Sequence, residues 1–148
     1  MNRDSERIEI VISSRFENIE LVQAIAEHLC ETAGLDDDGS HWIGMAVREG
    51  VANAIKHGNK LDPVKKVQAT FDLSGSQLAI VIRDEGEGFD PGSVSDPLNP
   101  ANLMKTSGRG IFYMKTFMDR IDYSFQPGRG TQLLMTKKLV TRNELTKS

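Results

Sequence analysis

The alternation of apolar and polar positions resolves the chain into a short series of elements. Residues 7–13, RIEIVIS, alternate with β-branched residues at the apolar positions, which predicts a strand. From 18 to 33 the apolar side chains fall at 19, 21, 22, 25, 26 and 29, the spacing of an amphipathic helix that Gly34 can end. The stretch 44–60, GMAVREGVANAIKHGNK, is small or apolar at Met45, Ala46, Val47, Val51, Ala52, Ala54 and Ile55. That leaves too little polar surface for an exposed helix, so a largely buried one is expected. A polar turn at 36–40 supplies candidate caps for it, and Gly58 fits a left-handed cap at its other end. Strands follow at 66–73 and 77–84, joined by Ser74-Gly75-Ser76, which predicts an antiparallel hairpin. The nearly continuous apolar run from Leu78 to Ile82 suits a strand in the middle of the sheet. Residues 90–107 hold three prolines and no period beyond a short turn near 101–105, so they read as a lid or loop. A helix over 111–119 comes next, then strands at 120–126 and 130–139 about Pro127-Gly128-Arg129-Gly130. The segment after Leu139 is a polar tail.

Length and composition narrow the class without deciding the chemistry. At 148 residues the chain is expected to form one domain, since no repeat, linker or compositional break divides it. No apolar run approaches the roughly eighteen residues of a membrane span, and the N-terminus has no apolar block before a cleavage site. A cytoplasmic protein without membrane contact is therefore expected. The single cysteine, Cys30, excludes an internal disulfide and agrees with a reducing compartment. A net charge of -3 leaves no basic footprint, so nucleic acid is not an expected partner.

The buried helix is where the pattern breaks its own rule. Glu49, Asn53 and His57 recur every four residues, which stacks them on one face with the first two roughly 6 Å apart along the axis. A buried polar stripe needs partners, and two readings stand. Glu49 could meet a buried arginine while Asn53 caps a loop. Alternatively, the stripe lines a cavity in which the amide oxygen suits magnesium and the carboxylate accepts a proton from a nucleophile attacking phosphate. Asp84 ends the central strand and leads into Glu85-Gly86-Glu87-Gly88-Phe89, where two glycines permit a sharp turn and close ligand approach. Gly108-Arg109-Gly110 opens the next helix, a candidate phosphate cradle to which Lys105 and Arg109 add charge. His28, on the first helix, reads as solvated or locally paired.

In order, the chain offers E-x-x-x-N-A-x-x-H-G-N on a helix, D-x-G-x-G-F after a strand, a long loop into G-R-G-I, and G-T in the last hairpin. This resembles the ATP-binding fold shared by gyrase, the heat-shock chaperone, histidine kinases and the mismatch-repair ATPases (GHKL). Within that superfamily, EGVANAIKHGN and GRGIFYMKTFMD look most like the bacterial anti-sigma factor serine-protein kinases of the RsbW type, over about residues 7–139. The resemblance implies an α/β two-layer sandwich, a mixed and mostly antiparallel sheet with helices on one face. It implies that Asn53 coordinates magnesium and that Glu49 is the general base. Asp84 would accept from the adenine amine, with Gly86 and Gly88 letting the base approach the backbone and Thr131 adding a hydroxyl. Gly108, Arg109 and Gly110 would hold the phosphates under the 90–107 lid. His57 matches a position often filled by histidine in that family, but a packing or capping role accounts for it equally well.

The function so implied is ATP- and magnesium-dependent phosphorylation of a serine on a STAS-type anti-anti-sigma protein, coupled to capture of a sigma factor. The alternative is a nucleotide-binding module that switches partners and transfers nothing; Glu49 favours the enzyme, because a pure switch needs no base beside the metal. A histidine kinase is disfavoured, since His28, His41 and His57 all lie inside the predicted domain. Pairing as a homodimer is common in the family that the chain resembles.

Overall fold

The computed structural model describes residues 5–86, 110–126 and 130–139. Five strands, β1 (Ser5–Ser13), β2 (Lys66–Ser74), β3 (Gln77–Asp84), β4 (Arg120–Gln126) and β5 (Gly130–Lys138), form one sheet in the order β1-β2-β3-β5-β4. All four pairings are antiparallel. The expected mixture of strand directions is thus absent among the described strands, while the two-layer α/β arrangement holds. β3 lies in the middle, as its apolar run requires. Gly75, at φ +59°, lets the chain reverse in two residues between Ser74 and Gln77.

Cross-strand partners share a face, so the registers define rows across the sheet. One row is Ile8, Phe71, Ile80, Met135 and Ile121; the next is Ile10, Ala69, Ile82, Leu133 and Tyr123. A third begins Ile12, Val67, Asp84. These rows are the apolar face of the sheet, and they turn polar only at Tyr123 and Asp84, toward one end. The opposite face carries Arg7 paired with Asp72 at 3.5 Å and Arg83 donating to Gln132 at 2.6 Å, as a solvent face should.

Two longer helices, α1 (Glu17–Thr32) and α2 (Asp37–Asn53), and the shorter α3 (Gly110–Phe117) pack on the apolar rows. α1 ends at Gly34, φ +97°, where Leu35 N–H donates to Cys30 O and closes the last turn. α2 starts earlier than the 44–60 helix of the sequence pattern. Asp36 caps it by accepting from Gly39 N–H at 2.8 Å, so most of the supposed polar turn is its first turn. Gly50 sets the depth at which α2 lies: a methyl there would be 2.7 Å from Ile82 Cδ1 and 2.9 Å from Leu133 Cδ2. Val47, Val51 and Ile55 are fully buried and share one hydrophobic core with Phe71, Ile80 and Met135. Trp42 of α2 stacks on Phe117 of α3, with ring centroids 4.4 Å apart.

Candidate functional site

β3 delivers Asp84 to the end of the apolar face, where it is only 7 % exposed. Its Oδ1 accepts the N–H of Gly86 at 2.9 Å and that of Thr131, the second residue of β5, at 3.1 Å. The surroundings are built of glycine because nothing larger fits. A methyl at Gly58 would stand 2.1 Å from Asp84 Oδ2, one at Gly86 2.0 Å from Gly58 O, and one at Gly130 2.1 Å from Asp84 O. Burial raises the Asp84 carboxyl above its ordinary range; the two N–H donors and the charge of Lys65 offset part of that rise.

Gly58 is therefore explained by contact rather than by conformation. Positive φ occurs at Lys60 and Leu61, not at the expected left-handed cap, Gly58. α2 runs instead into a π-helical turn, Ala54–Gly58, in which Asn59 N–H reaches back to Ala54 O at 2.8 Å. A π turn holds one extra residue, which rotates the next part of the chain by about 100° relative to an α-helix. Glu49 and Asn53 stay half-buried on the site face, whereas His57, expected on the same stripe, is exposed. Asn59 turns inward and is fully buried. Its amide donates to Ser14 Oγ at 2.8 Å and Lys66 O at 2.9 Å and accepts Glu85 N–H at 2.8 Å. One side chain thus joins the end of β1, the start of β2 and the turn after Asp84.

Glu49 and Asn53 sit on either side of Gly50, so the close approach of α2 to the sheet brings both toward the second row. Glu49 Oε1 is closed off from solvent. The Tyr123 phenol lies within side-chain hydrogen-bonding reach of Asn53, and the charges of Glu49 and Asp84 both act on it. Desolvation, with those two charges, pushes Tyr123 up to about 12, so it stays protonated at neutral pH.

The structure thus brings Glu49, Asn53, Asp84, Gly86 and Thr131 to one end of the sheet and begins α3 at Gly110. Gly88, Lys105, Gly108 and Arg109, and with them the expected lid at 90–107 and the 140–148 tail, lie outside the described residues. Sequence reasoning passed over Tyr123 and Asn59. Asn59 stood in the H-G-N run with no role given to it. Tyr123 gave no signal, since an aromatic residue in an alternating strand reads as core.

An antiparallel sheet covered by helices on one face, with a glycine-lined buried carboxylate beside a Glu/Asn helix pair, defines a GHKL-like ATPase domain. Residues 12–137 match the family described as histidine kinase-like ATPase domain, and the chain belongs to that family. It is 26 % identical over 145 residues to the serine-protein kinase RsbW of Bacillus licheniformis, covering 94 % of this chain and 89 % of that one. It is 35 % identical over 99 residues to the anti-sigma F factor of Oceanobacillus iheyensis, covering 66 % of this chain and 68 % of the relative. The corresponding figures for the anti-sigma F factor of Clostridium perfringens are 33 % over 101 residues, 67 % and 72 %. Among the described residues no helix is long and apolar enough to cross a membrane.

Proposed function

We propose that the chain is an ATP-dependent serine-protein kinase of the anti-sigma type, which phosphorylates a serine of a STAS-type anti-anti-sigma protein and binds a sigma factor in exchange. The observation that carries this reading is the juxtaposition at one sheet end of a fixed acceptor, Asp84, with a helix pair, Glu49 and Asn53, in a chain of this family. The names of the relatives, serine-protein kinase and anti-sigma factor, support the two halves of the function.

Each residue has work that its environment suits. Asp84 accepts from the exocyclic amine of adenine, a contact that a guanine carbonyl cannot make. The glycines around it let the base lie against the backbone. Glu49, half-buried beside Asn53, takes the proton from the attacking serine hydroxyl. The donor set fits magnesium, which binds one or two protein groups and completes its shell with substrate phosphates and water; Asn53 would hold it through the amide oxygen. When bound, that ion supplies charge neutralisation at the phosphates. Lys105, Gly108, Arg109 and Gly110 hold the phosphates, with Gly88 and Thr131 near the base. A homodimer in the cytoplasm is the assembly expected of such a regulator.

The test is transfer of label from ATP, with magnesium, to serine of candidate STAS proteins. Glu49→Gln should lower transfer by roughly 100-fold or more, the usual worth of a general base, while leaving ATP affinity near that of the parent. Normal transfer by Glu49→Gln would remove the base assignment. Tight ATP binding with no transfer to any candidate would favour the partner switch without catalysis.

A further inference from the structure

The amide of Asn59 is fixed end for end by partners that have only one chemistry each. Lys66 O, a carbonyl, only accepts, and the backbone N–H of Glu85 only donates. Nδ2 therefore faces Lys66 O at 2.9 Å and Ser14 Oγ at 2.8 Å, while Oδ1 takes the Glu85 N–H at 2.8 Å. Ser14 in turn donates to Lys65 O at 2.7 Å. The acceptor offered to Glu85 is thus anchored at the end of β1 and the start of β2, on a side chain that is fully buried. Asp84 belongs to the turn so held. Its Oδ1 accepts the Gly86 N–H at 2.9 Å, and Gly86 packs on Gly58 O, from which a methyl there would be 2.0 Å. Gly58 and Asn59 therefore grip the turn at two successive residues, Gly86 and Glu85.

We propose that Asn59 is a positioning residue for base selection: by accepting the Glu85 N–H it holds the turn 84–86 so that the Asp84 carboxylate meets a purine bearing an exocyclic amine and rejects one bearing a carbonyl there. The inference deepens the adenine contact given to Asp84 and rests on it. Asn59, enclosed in the fold, acts through the turn and not on the base. Asp84 Oδ1 receives backbone N–H groups from Gly86 and Thr131, so the direction of the carboxylate follows the backbone that carries those donors. Selection by a hydrogen bond needs its geometry kept, and a site about 1 Å too loose loses it. A corner tie serving stability alone would weaken the binding of both kinds of purine together.

The experiment is calorimetric titration of the full chain, well below its melting temperature, with ATP and with inosine triphosphate, which has a carbonyl in place of the amine. The parent should favour ATP by about tenfold or more, the worth of a hydrogen bond to a charged acceptor. Asn59→Ala should bring that ratio down to about one, chiefly through weaker ATP binding. Asn59→Ser, which leaves a hydroxyl for water but does not span to Glu85, should lower it likewise and carries the test if the alanine variant does not fold. Ser14→Ala removes another bond of the same corner and leaves the Asn59 oxygen on the Glu85 N–H. It should melt lower than the parent and keep the parent's ratio. Equal falls in the Ser14 and Asn59 variants would mean general loosening and overturn the positioning role. Asp84→Asn separates the two ways of failing. If it keeps the parent's ratio, the adenine contact of Asp84 fails and the inference falls with it. If it abolishes the ratio while the Asn59 variants retain it, the contact stands and the role of Asn59 is overturned.

Discussion

At the scale of single residues, the site is held by contacts that exclude alternatives. Asp84 shows the cost of such an arrangement, because burial makes its charged form unfavourable even with two N–H donors on one oxygen. A carboxyl raised above its unfolded value binds protons more readily in the folded chain. Its favourable contribution to stability is therefore complete below the ordinary aspartate range and is lost as pH rises through the raised value. Asp84→Asn keeps the shape and an oxygen for the N–H donors of Gly86 and Thr131 but has no charge to desolvate. The expected outcome at pH 7 is a melting temperature equal to or above that of the parent, with ATP binding greatly weakened. The stability advantage of the variant should shrink as pH falls through the raised range. A variant that melts well below the parent at pH 7, or binds ATP as tightly, would refute this account. Asp84 was legible in the sequence because a carboxylate ending an apolar strand before G-x-G has no packing reason to be there. Tyr123 was not legible, because its polar contact exists only once β4 lies beside β5 and α2 crosses above.

At the scale of elements, strand pattern translated well into strands. β3 and β4 begin and end where alternation and turn residues place them, since period-two burial and a two-residue or short glycine turn leave little freedom of register. The weak point was the end of α2. Helical spacing extrapolates a uniform 3.6-residue turn, and nothing in AIKHG announces that one turn will widen. The widening is what carries His57 outward while Asn59 points inward, and Asn59 then bears the connection between three chain segments. Asn59→Ala should remove the three hydrogen bonds of a fully buried amide, one buried and two partly buried, costing about 2–4 kcal/mol in denaturant unfolding. Amide exchange at Glu85 should accelerate with it, because that N–H loses its acceptor. An unchanged unfolding midpoint would mean that water substitutes for the amide and that the tie is dispensable.

For the molecule as a whole, the described site residues come from the C-terminal half of α2, the end of β3, the start of β5 and the middle of β4. No contiguous stretch of the chain can form such a site, so nucleotide binding requires the folded sheet with α2 seated on it. Binding of this kind stabilises the native state by mass action, by about 2.7 kcal/mol at a free ATP concentration one hundred times the dissociation constant. For a domain of this size that corresponds to a rise in melting temperature of roughly 5–11 °C. Each tenfold increase in ATP beyond that point should add about 1.4 kcal/mol more. The three variants then separate by where they act on the same curve. Asp84→Asn should start at or above the parent and gain little from ATP, because the adenine contact is lost. Asn59→Ala should start lower and gain less than the parent, because the turn that presents Asp84 is loosened. Glu49→Gln should gain as much as the parent, since a proton acceptor for the transfer step contributes nothing to holding the nucleotide. A scan in which Asp84→Asn rises with ATP as steeply as the parent would place nucleotide binding away from the end of β3.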